Sequence, residues 1–454
     1  MYDLIIIGAG PGGYETALEA AKRDLKVLLA ESGPVGGTCL NEGCIPTKAL
    51  CRNAEIWENV KNSATFGITA QGAKLDFSKV QERKVEVMTQ LRTGVETLLK
   101  HKNITLVHGK ATMIDAHTVE VDGEKYEAKN IIIATGSVSA MLPIPGTDLP
   151  GVLTSKELLE IDHVPERLCI IGAGVIGLEF ASIFNSFGSQ VTVVEYCKDI
   201  LPRFDTDLAK RLKQSLGKKG IEIYTQAQVS SIAQAEPDSD GRSSLNVNFI
   251  RKDKEESVSA DVVLMAVGRK ANLNSLNFEE MGIVTSRRGV EVNDFMETSV
   301  PGVYAIGDIN GRMMLAHTAT YQGLVALDHI MGLENKIRLD VMPAAVFTHP
   351  EVGVVGLTED ECKAQGIKVK VLKAFHRANG KAVSMGETEG FCKLIVSEDN
   401  GLILGCHLFG EHSADIVQEV CALISTGAHI NDLKAIVHPH PTLCEVVQTA
   451  AHTA

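Results

Sequence analysis

No stretch of this chain approaches eighteen uninterrupted apolar residues, which argues against a membrane-spanning helix and for a soluble protein. Basic charge is also in deficit. Lys and Arg number 44 against 57 Asp and Glu, a formal net charge of -13, whereas a general nucleic-acid binder needs surplus cations for phosphate. Nothing like a secretory leader opens the sequence. Met1 is followed almost at once by Leu4-Ile5-Ile6-Ile7, with no basic stretch and no small-residue cleavage site, so a cytoplasmic setting is expected. Low-complexity segments are absent. Ten cysteines in 454 residues are too few for a dense disulfide framework, and eight of them lack metal-ligand spacing, so no metal site is expected.

What is present is length enough for three or four folding units, and two βαβ openings of one design. The first runs from a strand at Tyr2 to Ile7, through Gly8-Ala9-Gly10-Pro11-Gly12-Gly13 and a small-residue helix to Ala21, into a strand ending at Glu31. Gly8 permits the tight turn, Gly10 lets backbone approach a pyrophosphate, Gly13 allows close helix-to-strand packing, and Glu31 is placed for a ribose hydroxyl. The second repeats it: Leu168 to Ile171, then Gly172-Ala173-Gly174-Val175-Ile176-Gly177, a helix to Phe187, and a strand from Gln190 to Val194 ending in Glu195. Two complete fingerprints a domain apart imply two dinucleotides. Glu195 favours NAD over NADP, because a carboxylate accepts hydrogen bonds from a 2′-OH and repels a 2′-phosphate.

Asn130 to Ser137 and Asp261 to Gly268 each read as a buried strand entering a glycine turn. They either close a nucleotide domain or are plain core strands. The polar stretch Ala235 to Ser244 reads as a hairpin tip or surface loop. From about Val341, strand-like runs such as Cys392 to Ser397 and Leu402 to Leu408 precede helical ones, as in an appended α+β domain.

Cys39 and Cys44 stand inside Gly36-Gly37-Thr38-Cys39-Leu40-Asn41-Glu42-Gly43-Cys44-Ile45-Pro46-Thr47-Lys48, directly after Glu31. Four intervening residues, one a glycine, can bring both sulfurs together at a helix start, where free N–H groups favour a thiolate. Lys48 follows Cys44 by one helical turn on the same face and reinforces that effect. A metal site would need two further ligands that the neighbourhood lacks, and a structural disulfide closing so short a loop would constrain the unfolded chain little. A redox dithiol is the favoured reading. In His438-Pro439-His440-Pro441-Thr442 an imidazole can act as acid and base for thiol exchange. The residues alone leave two roles open for Glu445: orienting His440, or capping a helix through the Thr442-x-x-Glu445 box.

The cysteine run, the two fingerprints, Ala305-Ile306-Gly307-Asp308 and His440-Pro441-Thr442-Leu443-Cys444-Glu445 together resemble the pyridine-nucleotide disulfide oxidoreductases over essentially the whole chain. The resemblance implies an α/β protein with two Rossmann-like FAD- and NAD(P)-binding domains and a C-terminal α+β dimerisation domain: FAD domain 1–145, NAD domain 146–268, central domain 269–341 and interface domain 342–454. It implies that Cys39 exchanges with substrate and that Cys44 faces the flavin as a charge-transfer thiolate, with Lys48 beside it paired to Glu179. FAD would be held by Gly8, Gly10, Gly13, Glu31, Ala111, Asp308 and Ala316, and NAD by Gly172, Gly174, Gly177, Glu195, Val229 and Gly268. It selects His440, supported by Glu445, as the base acting on Cys39 of the other subunit of a homodimer.

The implied activity is oxidation of a protein-bound dihydrolipoyl group with reduction of NAD⁺. The partner is then a lipoylated acyltransferase of a 2-oxo acid dehydrogenase complex or the carrier of the glycine cleavage system. Alternatives are a glutathione-type or mercuric reductase and a non-catalytic FAD/NAD-binding redox sensor. The C-terminus Ala450-Ala451-His452-Thr453-Ala454 lacks the extra cysteine pair that a mercuric reductase is expected to carry. The sequence departs from the family pattern at Thr47 and Cys444, usually Ser, and at Ala271, usually Pro; for Cys444 a packed, inert thiol is expected.

Overall fold

The computed structural model describes residues 1–236 and 244–454. Leu4 to Ile7 are buried on both faces, as a continuous apolar run requires of a central parallel strand. The strand Tyr2–Ile7 lies between Val27–Glu31 and Glu124–Ile133, parallel to both, in a seven-stranded sheet. Helix Pro11–Lys22 covers it with Ala17, Ala20 and Ala21. These small residues, with Gly12, also let in helix Ala316–Ile330, whose Ala319 would stand 3.0 Å from a Cβ at position 12.

The second opening builds a five-stranded parallel sheet in the order Glu222–Tyr224, Gln190–Val194, Arg167–Ile171, Val262–Met265, Val152–Leu153. The strand order reverses on either side of Arg167–Ile171, so a crevice opens at its carboxyl end, where ligands of such sheets sit. Within the segment 261–268, Val262–Met265 is a buried strand inside this sheet, between Arg167–Ile171 and Val152–Leu153. The segment 130–137 is divided: Glu124–Ile133 ends in the first sheet, while Ser137–Ser139 pairs antiparallel with Arg269–Ala271 and ties the two nucleotide units together.

Strands Ala227–Gln234 and Leu245–Arg251 form an antiparallel pair whose last described bond runs from the Ala235 N–H to the Ser244 carbonyl at 2.8 Å. The rest of the stretch read as a hairpin tip, residues 237–243, lies outside the described residues. The C-terminal unit is a five-stranded antiparallel sheet in the order Ala344–Val346, Val352–Gly356, Ile403–Phe409, Phe391–Ser397, Val369–Phe375. Helix Ser413–Ser425 packs against it. Lys393, 1% exposed, joins this sheet to the second nucleotide unit through Asp205 at 2.8 Å and Asp207 at 3.2 Å. Among the described residues no helix is long and apolar enough to cross a membrane.

Candidate active site

The two fingerprints fold into cradles that share their local features. Gly8 has φ +105° and Gly172 φ +107°, and a Cβ at either would come within 2.4 Å of a backbone oxygen, Ala134 O and Ala266 O respectively. Only glycine takes that turn at no cost. In each cradle the terminal glutamate folds back onto the turn. Glu31 accepts from the Ala9 N–H at 2.6 Å and the Gly33 N–H at 2.8 Å, and Glu195 from Ala173 at 2.5 Å and Cys197 at 2.6 Å.

A cavity of about 2470 Å³ runs from one cradle to the other. Gly8, Gly10, Glu31, Lys48, Ala111, Asp308 and Ala316 line it on the first side, and Gly172, Gly174, Glu195, Val229 and Gly268 on the second. Gly13 and Gly177 do not line it. A Cβ at these positions would stand 1.8 Å from Gly8 O and 2.1 Å from Gly172 O, so both serve helix-to-strand packing, the packing role expected of Gly13, and neither lines the cavity as the expected contacts of Gly13 with FAD and of Gly177 with NAD require.

Between the cradles stand the two cysteines. They occupy two consecutive helices: Cys39 lies within Gly37–Asn41, and Cys44 is the first residue of Cys44–Lys61. Both are free thiols, half-buried, and joined by a hydrogen bond. That bond holds the Cys39 proton and pushes its pKa up, an effect burial reinforces. The same bond lowers Cys44 to about 7; burial opposes the drop, the Lys48 ammonium assists it and Glu179 opposes it. The pair is thus polarised, with the thiolate on Cys44. Lys48 Nζ donates to both Glu179 oxygens at 2.9 Å, and burial of the ammonium is more than offset by that carboxylate.

His440 and Glu445 are elsewhere. His440 is 78% exposed, its Nδ1 2.9 Å from Glu445 Oε1, and neither residue lines the cavity of its own chain. Glu445 Oε2 accepts from the Thr442 N–H at 2.8 Å, so the carboxylate holds the turn and the imidazole at once. Of the two roles left open by the sequence, the contact with His440 is formed, whereas the helix-capping box is not: helix Glu445–Ala451 starts from Cys444 without a side-chain cap, and the Thr442 hydroxyl donates to the Pro439 carbonyl. The His438 side chain is 3% exposed, its Nε2 2.9 Å from Glu419. Cys444 packs beside the C-terminal core, and burial raises its pKa. Among the described residues no cluster of three or more His, Cys, Asp or Glu side chains could hold a metal.

Residues 2–323 match the family of pyridine nucleotide-disulphide oxidoreductases, and residues 342–451 match the dimerisation domain of the same family. The chain belongs to this family. It is an FAD- and NAD-dependent flavoprotein oxidoreductase, and the cradles, paired carboxylates and connecting cavity fit two dinucleotides. Dihydrolipoyl dehydrogenase of Geobacillus stearothermophilus is 38% identical over 458 residues, covering 100% of this chain and 96% of that protein. The enzyme of the same name from Staphylococcus aureus is 39% identical, with 100% and 96% covered. Among solved structures, the HOCl-induced flavoprotein disulfide reductase RclA from Escherichia coli superposes with a TM-score of 0.87 at 30% identity, covering 99% of each chain.

Two features of the site escaped the sequence. Arg269 Nε donates to Ser137 Oγ at 2.7 Å, and Ser137 Oγ donates to Asp308 at 2.5 Å, a chain that links the strand after the second fingerprint unit to the first side of the cavity. Burial raises the Asp308 pKa, while Ser137 and Arg269 pull it back. The Gly136-Ser137 and Gly268-Arg269 turns were visible, but not their pairing, which needs the two-stranded bridge. Phe347, against Lys48, had no sequence signal at all.

Proposed function

We propose that this protein oxidises protein-bound dihydrolipoyl groups to the lipoyl disulfide and passes the electrons to NAD⁺. The observation that carries the reading is the polarised Cys39–Cys44 dithiol, set beside Lys48 in a cavity that joins two dinucleotide cradles. The full-length likeness to dihydrolipoyl dehydrogenases supports the substrate.

In the oxidised enzyme Cys39 and Cys44 are joined as a disulfide. His440 takes a proton from one substrate thiol, and the resulting thiolate attacks the Cys39 sulfur. The Cys39–Cys44 bond breaks and Cys44 leaves as a thiolate, held by Lys48 and by the dipole of the helix it opens. His440 gives that first proton to solvent and then takes the proton of the second substrate thiol, whose sulfur attacks the substrate sulfur of the mixed disulfide; the Cys39–substrate bond breaks and Cys39 leaves with the proton that His440 returns, so one proton has gone to solvent and Cys44 remains a thiolate. Bound FAD supplies the two-electron carrier between this dithiol and NAD⁺, which takes the pair away as hydride. Gly8, Gly10, Glu31, Ala111, Asp308 and Ala316 would hold FAD, while Gly172, Gly174, Val229 and Gly268 would hold NAD, with Glu195 selecting its 2′-OH.

His440 acts on the Cys39 of a second subunit. Its exposure, its absence from the cavity of its own chain and the dimerisation domain on which it stands support a homodimer. The dihydrolipoyl group arrives on another protein, the lipoylated acyltransferase of a 2-oxo acid dehydrogenase complex or the glycine cleavage carrier, and the setting is the cytoplasm. Purified holoenzyme is expected to reduce NAD⁺ rapidly with dihydrolipoamide and to lose that activity in Cys44→Ser. Absence of turnover with dihydrolipoamide would overturn the proposal.

A further inference from the structure

The Lys48–Glu179 pair spans two helices, and a third element closes it. Phe347 leaves the C-terminal sheet directly after strand Ala344–Val346, and its N–H donates to Glu179 Oε1 at 2.9 Å. The Lys48 Nζ lies 4.6 Å from the centroid of the Phe347 ring. The Phe347 carbonyl accepts from Cys51 Sγ at 3.4 Å, and two residues on the His349 N–H donates to Ser182 Oγ at 3.2 Å. Two residues of the C-terminal unit, Phe347 and His349, thus grip helix Cys44–Lys61 at Lys48 and Cys51, and helix Val175–Phe187 at Glu179 and Ser182.

The main-chain bonds need only a backbone at position 347, but the ring is a separate matter. A lysine ammonium on a four-carbon stem has many ways to satisfy a carboxylate, and a cation over an aromatic face loses most of them. We propose that Phe347 is a positioning residue. Its ring fixes the Lys48 ammonium against Glu179 so that the positive charge stays on the Cys44 side of the cavity, and the charge at the redox centre thereby depends on the seating of the C-terminal unit. The proposal rests on the reading of Cys39 and Cys44 as a redox dithiol. The ionisable groups that face Cys44 are Lys48 from its own helix, Cys39 from the preceding one, Glu179 from the second fingerprint helix and Arg269 from the bridging strand. Of these, Phe347 touches Lys48 and Glu179.

The test compares Phe347→Leu and Phe347→Tyr with the wild type in reduced holoenzyme. The readouts are flavin content and the pH dependence of Cys44 alkylation by iodoacetamide, followed on the Cys44 peptide by mass spectrometry. Phe347→Leu keeps both backbone bonds. It is expected to retain FAD while Cys44 alkylation at pH 7 slows about threefold, its midpoint moving to higher pH, the scale of one partly exposed cation–π contact. Phe347→Tyr restores the wild-type profile. Unchanged midpoints in the Leu variant, or Leu and Tyr variants that shift alike, would overturn the positioning role. A wild-type Cys44 with no ionisation near neutrality would overturn the dithiol reading and this proposal with it. Should the Leu variant lose flavin, Phe347→Met, also without a ring, carries the same comparison.

Discussion

Lys48→Met tests the electrostatics of the site at their source. The substitution removes the cation and leaves the Glu179 carboxylate, 4% exposed, with the Phe347 N–H as its remaining hydrogen-bond partner among the described residues. Both changes act on Cys44 in one direction, since a favourable positive charge is lost and an unfavourable negative one is unmasked. A charge one helical turn away moves a pKa by about one to three units, so the Cys44 midpoint climbs from about 7 to roughly 8 or above. At pH 7 the thiolate population then falls about fivefold or more. Stability also suffers. Breaking a fully buried pair costs about 3–5 kcal/mol, and because Lys48 is 32% exposed the discounted cost is about 2 kcal/mol. Anaerobic titration of the reduced holoenzyme, read at the long-wavelength thiolate-to-flavin absorbance, gives the midpoint, and denaturant melts give the stability. Adding Glu179→Gln should recover most of the stability and bring the midpoint back part of the way. A midpoint that stays near 7 in Lys48→Met would refute the reasoning.

In the wild type the Cys44 pKa is depressed, so the thiolate is present above about 7 and lost as pH falls through it; alkylation of Cys44 should drop about tenfold per unit on the acid side. His440→Gln should lower dihydrolipoamide turnover by about 10²–10⁴-fold with the flavin retained, and Glu445→Gln should have a smaller effect in the same direction, seen in steady-state kinetics. Subunit mixing tests where the base comes from. Cys44→Ser and His440→Gln homodimers are each impaired, but their random hybrids should regain roughly a quarter of wild-type activity, because half the dimers carry one complete site. No recovery would place His440 in its own subunit's site. Gly172→Ala, whose Cβ would meet Ala266 O at 2.4 Å, should retain FAD and raise the KM for NAD⁺ at least about tenfold, measured alongside flavin absorbance.

The nucleotide cradles were legible because each demand on them is local. A turn at positive φ, a close helix approach and an acid at the strand end all fall within about 25 residues of sequence, and Gly8 to Glu31 and Gly172 to Glu195 meet the same demands twice. The cysteine pair was legible for the same reason, although it spans two helices and not a single helix start. What escaped is what depends on long-range packing. Ser137 and Arg269 are 132 residues apart, and Phe347 meets Glu179 across 168, so no periodicity could join them. Glu445 was ambiguous because its two oxygens serve two partners, a division that only geometry reveals.

The most direct measurement is a stoichiometric one. Oxidised holoenzyme is mixed anaerobically with one equivalent of dihydrolipoamide, alkylated and mapped by mass spectrometry, and a parallel sample receives NAD⁺. The expected result is two newly modified residues, Cys39 and Cys44, and close to one NADH per subunit in the parallel sample, with both signals lost in Cys44→Ser. NADH formed while that pair stays unmodified, or formed at the wild-type rate by Cys44→Ser, would contradict the assignment of the redox centre.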